Sequence, residues 1–420
     1  MTNILGFIIS LVALLLIIFI KDIISRKSKN TYHGTLYYKL TNFNRALIIL
    51  SILIFIIVAI IDYNINSYNR SWLSFITIAI NALSVAILTL PISLSNIYNT
   101  IFNDEEKIAD TKYVVTTIYD KKIIYKLNRA GIKVILLTTE KLDSKIKRIE
   151  PKAFKKTQIN SNLIINSDDP KVVKSIPDAI YEYKNLNKGY HAIEEARAKA
   201  DAIARIIKYT MLSYIPLVLL FFILIITGYP AFYNIVISIL TKLLTVLTVE
   251  YVYKKMPKDN DLMNRSPIEN GKIIGKQEIL FIIFTCICTL FCYSFPYQYI
   301  IFNGGSINFA LSILLTSFLF NNLLITYVLY SESAMIKNII KSFKNIRMII
   351  YLLIIIFITI IINFVTILGT DNIGVQNYFV CIVFGLIPLL ILEIIKLARF
   401  TTMKGKKKNV PKNNKRHKKS

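Results

Sequence analysis

Apolar runs long enough to cross a bilayer recur along most of the chain. About 20 mainly apolar residues suffice for one crossing, and such runs fall near 4–20, 46–62, 73–99, 209–228, 231–253, 279–302, 306–330, 348–369 and 377–399. The long break is 101–208. There Tyr113–Ile118 and Ile132–Thr138 read as strands around a helix at Lys121–Ala130, and Asn162–Asn166 and Asp178–Tyr183 as further short strands. Strands alternating with helices imply a small parallel α/β sheet, with any ligand crevice at the strand C-terminal ends. From Lys188 the period changes. Ala192, Ile193, Ala196, Ala200, Ile203 and Ile207 recur at three- and four-residue steps, which predicts one helix leaving the soluble part and entering the bilayer. About 40 residues at 1.5 Å each give a rod of roughly 60 Å.

The predicted fold is an α-helical polytopic membrane protein of about nine transmembrane helices with one small cytoplasmic α/β domain. Its parts are an N-terminal anchor with a basic loop (1–45), a transmembrane pair (46–100), the α/β domain (101–187), a stalk helix with six membrane helices (188–400) and a basic, disordered tail (401–420).

Charge orients this arrangement. The chain carries a net charge of +26, is 54% hydrophobic and has 18% charged residues, against about 25% in soluble proteins. Lys and Arg concentrate in 21–45, 254–277 and 331–347, while Asp62–Trp72, Gly228–Pro230, Asn303–Ser306 and Thr370–Gln376 hold almost none. That is the positive-inside signature: N-terminus outside, C-terminus cytoplasmic, in a cell membrane. The first span is followed by Lys21, Arg26, Lys27 and Lys29 rather than a cleavage site, so it reads as a retained anchor. No aromatic-basic module accompanies the charge, which argues against nucleic acid as a partner. The Lys-rich tail reads as a solvated segment whose functional reading is contact with anionic lipid. The abundance of Ile, Asn and Lys points to AT-rich bacterial coding.

Cys286, Cys288, Cys292 and Cys381 all fall in apolar runs. Thiolates can hold soft metals, but positions 288 and 292 share a helical face that 286 does not. Packing as small hydrophobes is the favoured reading. His33, His191 and His417 lack a second ligand at metal spacing, and no cofactor is expected.

Several stretches, in order, carry a family resemblance. His191-Ala-Ile-Glu-Glu-Ala-Arg197, continuing through Ile207-Lys208-Tyr209, resembles the stalk into the fifth membrane helix of P-type cation-transporting ATPases. Asp261-Leu-Met-Asn-Arg265-Ser-Pro267 is similar to the D-x-M-x-R-x-P stretch between that family's sixth and seventh helices. Ala130-Gly131-Ile132-Lys133-Val134 resembles the A-G-I-x-V of its phosphorylation domain, which is haloacid-dehalogenase-like. Spans two and three, with Leu90-Pro91, sit where its third and fourth helices would.

The resemblance also implies what is altered. Pumps of this family use D-K-T-G-T, T-G-D, G-D-G-x-N-D and T-G-E to form and break an aspartyl phosphate. This sequence contains none of them: Asp120-Lys121 continues as Lys-Ile, and Thr138-Thr139-Glu140 stands where T-G-D would follow. ATP hydrolysis is therefore not expected. The ion site differs too, since pumps dehydrate cations with carboxylate and other oxygen ligands. The family's P-E-G-L-P is nearest to Pro91-Ile-Ser-Leu-Ser95. Tyr214 and Leu217 stand where calcium pumps carry Asn and Glu, and Lys242 and Val246 where the family has Asn and Asp. The candidate membrane-site residues are Lys242, Pro91, Tyr214, Thr245, Asn321 and Asn322.

Lys242 admits three readings: a tethered ammonium replacing a metal cation, a proton or anion site with a depressed pKa, or a lysine hydrogen-bonded to neighbouring helices. Asn321, Asn322 and Asn363 read as interhelical hydrogen-bonders. The leading functional expectation is a non-catalytic pump relative that binds, regulates or scaffolds another membrane protein. The alternative is an ATP-independent ion or proton transporter or channel. A membrane-anchored enzyme built on Asp168 and Asp169 finds little support, because Pro170 marks an ordinary helix start.

Overall fold

The computed structural model describes residues 108–137, 147–149, 163–166, 181–182, 185–226, 247–253, 262–264, 276–330, 345–364 and 370–408, with isolated positions at 53, 56, 244, 256 and 258–259. The expected spans near 4–20, 73–99 and most of 46–62 and 231–253 lie outside the described residues. The chain divides into two compact units. The first holds the described residues to Thr210 and those from Leu244 to Ile279; the second holds Met211–Leu224 and the residues from Leu280 onward.

In the first unit, β1 (Tyr113–Thr116), β2 (Lys133–Leu137), β3 (Lys147–Ile149), β4 (Leu163–Asn166) and β5 (Tyr181–Glu182) form one sheet in the order β3-β2-β1-β4-β5. Every pairing is parallel, with Val114 beside Val134 on one side and Ile164 on the other. β1 and β2 are apolar because β1 lies inside the sheet and both are covered; Val115 and Leu136 are fully buried. Helix α1 (Lys121–Arg129) connects them. Asp120 caps it, Oδ1 accepting from the backbone N–H groups of Lys122 and Ile123 at 3.0 and 3.1 Å. It ends where Gly131 takes a φ of +77°, and Ile132 N–H reaches back to Leu127 O at 3.0 Å, a Schellman-type closure that favours glycine. The Ala-Gly-Ile stretch is thus a helix stop leading into β2.

Helix α2 (Leu186–Ile226) is the predicted stalk, 41 residues without a break. Its apolar stripe has a visible partner. Ile193, Ala196 and Ala200 pack with Ile123, Ile124, Leu127, Ile132 and Val134 in one core, and Met263, in a short 3₁₀ turn at Leu262–Asn264, closes over it.

In the second unit, α3 (Lys276–Phe302), α4 (Ile307–Leu329), α5 (Ile346–Phe364) and α6 (Gly374–Lys408) contain four candidate membrane spans. α4 is the central one: 83% of its most apolar window is buried, against 28–39% in the other three. α3 ends at Gly304 (φ +77°), and a Cβ on the next residue, Gly305, would stand 2.9 Å from Ile300 O. Ser306 then caps α4 by accepting from Phe309 N–H at 3.1 Å. α4 and α6 run parallel along most of their length. The Cys381 thiol donates to Ile313 O at 3.6 Å, Gly385 packs on the backbone of Asn321, and Lys396 Nζ donates to Val328 O. A Cβ at Gly385 would meet Asn321 N and Phe320 Cβ at 3.4 Å, so a small residue sets this close approach.

Two boundaries differ from expectation. β3 was not anticipated, because Lys147-Arg-Ile149 is basic and short; its place at the sheet edge tolerates charge. The segment expected to be disordered from 401 is helical through Lys408.

Candidate functional site

Two polar constellations stand out, one in each unit. In the first unit they are charged. The Arg197 guanidinium is buried, and both terminal nitrogens donate to Ala130 O at 3.2 Å. Ala130 closes α1, so the stalk arginine neutralises the carbonyl end of that helix. Burial pushes the Arg197 pKa down to about 10, with Tyr190, Asp110 and Asp201 pulling the other way, so it remains a cation at neutral pH. Two turns further along α2, Arg205 Nη2 meets Asp259 Oδ2 at 2.6 Å and Asp201 Oδ2 at 3.7 Å, and Nη1 reaches Met256 Sδ at 3.3 Å. The Arg205 and Asp259 side chains are only 4% and 9% exposed. One turn on again, Tyr209 donates to Thr248 Oγ1 at 3.0 Å, its ring 5.3 Å from that of Tyr253. Thr248–Val252 forms a π-helical turn, and the Thr248 hydroxyl also donates to Leu244 O at 2.8 Å. Three successive levels of α2 are thereby fastened, first to the α/β domain and then to 244–259.

Among the described residues of the second unit the buried polar groups are neutral. Asn321, halfway along α4, donates from Nδ2 to the Tyr293 hydroxyl of α3 at 2.6 Å. Asn363 of α5 donates to Thr316 Oγ1 of α4 at 3.3 Å and to Thr359 O at 2.8 Å. Thr285, Thr289, Ser312, Thr326 and Thr359 donate to carbonyls four residues back, the usual way a hydroxyl is satisfied inside an apolar helix. Asn321 Oδ1, Asn363 Oδ1 and Ser317 Oγ are buried and take no partner among the described residues. The charged exception lies near the end of the apolar part of α6, where Lys396 Nζ stands 3.6 Å from Glu393 Oε1 with side chains 10% and 12% exposed. Lys396 also donates to Val328 O, one of the last carbonyls of α4, which the helix itself leaves without a partner.

The sequence-predicted residues fare unequally. Lys242, Pro91 and Thr245 lie outside the described residues, and Tyr214 is placed on α2 without a described side chain. Asn321 and Asn363 are interhelical bonders, as expected. Asn322 donates to Phe318 O of its own helix at 2.8 Å, since adjacent positions on a helix face apart. The cysteine packing reading gains support: the Cys286 thiol donates to Met211 O at 3.4 Å and that of Cys381 to Ile313 O.

Sequence reasoning missed Arg205–Asp259, Tyr293 and Glu393–Lys396. Glu393-Ile-Ile-Lys396 was a visible signal, two opposite charges at i and i+3 inside an apolar run. Nothing local announces that Asp259 meets Arg205, 54 residues away.

Comparison with curated proteins found no match. Residues 236–398 match the family model described as cation transporting ATPase, C-terminus. This segment contains α3, α4, α5 and the membrane part of α6. Residues 236–398 of this chain, with their candidate membrane helices, are thus similar to the C-terminal domain of the cation-transporting P-type ATPases.

Proposed function

We propose that this chain is a non-catalytic relative of the cation pumps that acts by binding, regulating or scaffolding another membrane protein in the cell membrane, with its α/β domain a reduced phosphorylation domain on the cytoplasmic face. The observation that carries this reading is the state of the strand ends. A parallel sheet of this kind binds ligands outside the carboxyl ends of its strands, where connections diverge, here between β1 and β4. At the end of β1 the Thr116 hydroxyl closes on its own turn, accepting from Ile118 N–H at 3.0 Å and donating to Ile118 O at 3.2 Å. The first amides of α1, the natural cradle for a phosphate, are occupied by the Asp120 carboxylate. In the sequence β2 is followed by Thr138-Thr139-Glu140. An anion arriving at the start of α1 meets the Asp120 carboxylate rather than free donors. The clamps on the stalk remain, which suits a protein that transmits or holds a conformation.

A second reading, ATP-independent passage of an ion or proton, is favoured by the buried oxygens of Asn321, Asn363 and Ser317. Neutral oxygens of this kind can coordinate a dehydrated cation or hold water. Flux in proteoliposomes separates the two. We expect no movement of protons or alkali and alkaline-earth cations above protein-free vesicles, with or without ATP, from the native chain or Lys242→Ala. Flux that is independent of ATP and altered by Lys242→Ala would establish the second reading instead.

A further inference from the structure

We propose that the basic extension of α6 binds the anionic headgroups of the leaflet from which it emerges. The apolar part of α6 ends at Leu397, yet the helix runs on to Lys408. From Arg399 to Lys419 the sequence holds ten Lys and Arg residues and no Asp or Glu. Helical continuity fixes where the first of these charges stand. At about 1.5 Å per residue, Arg399 lies roughly 3 Å beyond the apolar end and Lys404–Lys408 roughly 10–16 Å beyond it, measured along the helix axis. The headgroup layer is about 5–8 Å deep, and the field of an anionic surface decays over about 8 Å at physiological salt. Arg399 therefore falls within the headgroups, and the Lys404–Lys408 group falls inside the first two decay lengths.

The base of this extension is held firmly. Lys396 donates to the end of α4 and is paired with Glu393, so it is spent on packing rather than on lipid. Gly385 and Cys381 tie the same helix to α4 lower down. Gly405 interrupts the lysines, and glycine is the residue at which a helix most readily bends. Pro411 follows three residues after Lys408 in the sequence. A helix C-terminus also favours cations through its dipole, but that effect is confined to the last turn. It explains neither Arg399 nor the basic residues after Pro411. The inference does not depend on whether the chain moves ions.

The test places a fluorescent donor at Asn409→Cys in the full-length protein, in nanodiscs carrying headgroup-linked acceptor. Transfer should be greater with 30% phosphatidylglycerol than with phosphatidylcholine alone, and the difference should vanish as salt rises to about 0.5 M. At about five-fold per residue, replacing Lys404, Lys406, Lys407 and Lys408 by Gln should weaken the surface association by roughly 600-fold. The comparison between lipids uses unaltered lysines, so a poorly folded variant leaves the test intact. Equal transfer in the two lipids overturns the proposal. So does a probe that ignores anionic lipid yet responds to added RNA, which would make the segment a nucleic-acid binder.

Discussion

In the unit that carries the sheet, the contacts fastening the stalk are ionic or strongly polar. Arg197 is spent on a helix-terminal carbonyl, and Arg205 on Asp259 with Asp201 nearby. In the membrane unit the corresponding work is done by amides and hydroxyls: Asn321 on Tyr293, and Asn363 on Thr316. The one charged pair among the described residues there, Glu393 and Lys396, sits near the end of its span. The contrast follows from the surroundings. A charge beside water can be desolvated at tolerable cost if a counter-charge waits for it, whereas at mid-bilayer a neutral group is cheaper. A cation pump reverses that economy at its ion site by placing carboxylates in the membrane. Among the described mid-span residues of this chain the buried polar groups are neutral.

Four experiments sharpen or break this comparison. The largest effect should come from Asp259→Ala, which removes the carboxylate 2.6 Å from the buried Arg205 guanidinium. Stability should fall by about 3–5 kcal/mol, read as a lowered thermal midpoint of the full chain in detergent. Replacing Arg205 and Asp259 together by Met and Leu should recover most of that loss; a single substitution costing under about 1 kcal/mol would show the pair to be solvated. Next is Gly385→Leu, which wedges α6 from α4 and should cost about 1–3 kcal/mol by overpacking. Gly385→Ala adds only a Cβ at 3.4 Å from its neighbours and should be far milder, so equal effects would mean the helices are not in close contact. Asp120→Ala removes the α1 cap, worth about 0.5–2 kcal/mol, and should loosen amide protection at Lys122 and Ile123 in hydrogen exchange. The smallest effect is the coupling of Asn321→Leu with Tyr293→Phe in a double-mutant cycle, about 0.6 kcal/mol. A coupling several times larger would mean that this bond carries charge.

Much of the architecture was legible because it rests on periodicity. The spans at 279–302, 306–330, 348–369 and 377–399 appear as helices over nearly the same residues. The long stalk follows from the Ala-Ile stripe at 192–207 and the absence of breakers. β1, α1 and β2 fell within a residue or two of the predicted limits, since Gly131 and Asp120 punctuate them chemically. The order of the sheet was not legible, because strand neighbours are chosen by long-range packing that no local signal encodes. The same holds for the site. Asn321 announced itself as an amide in an apolar run, but its partner Tyr293 resembled any other aromatic in a membrane helix. Arg205 lay on a stripe noticed only for its apolar members, and the continuation of α6 past Leu397 was hidden because lysines and a glycine read as tail.

The central proposal is that this chain keeps a helical region similar to that of a cation pump without its phosphoryl chemistry. The most direct measurement is incubation of the purified full-length protein with radiolabelled ATP and magnesium, alone and with each of sodium, potassium and calcium, followed by acid quench and acidic gel electrophoresis. The account predicts no acid-stable label on the chain under any of these conditions. A labelled band that is discharged by hydroxylamine, as an acyl phosphate is, would contradict it.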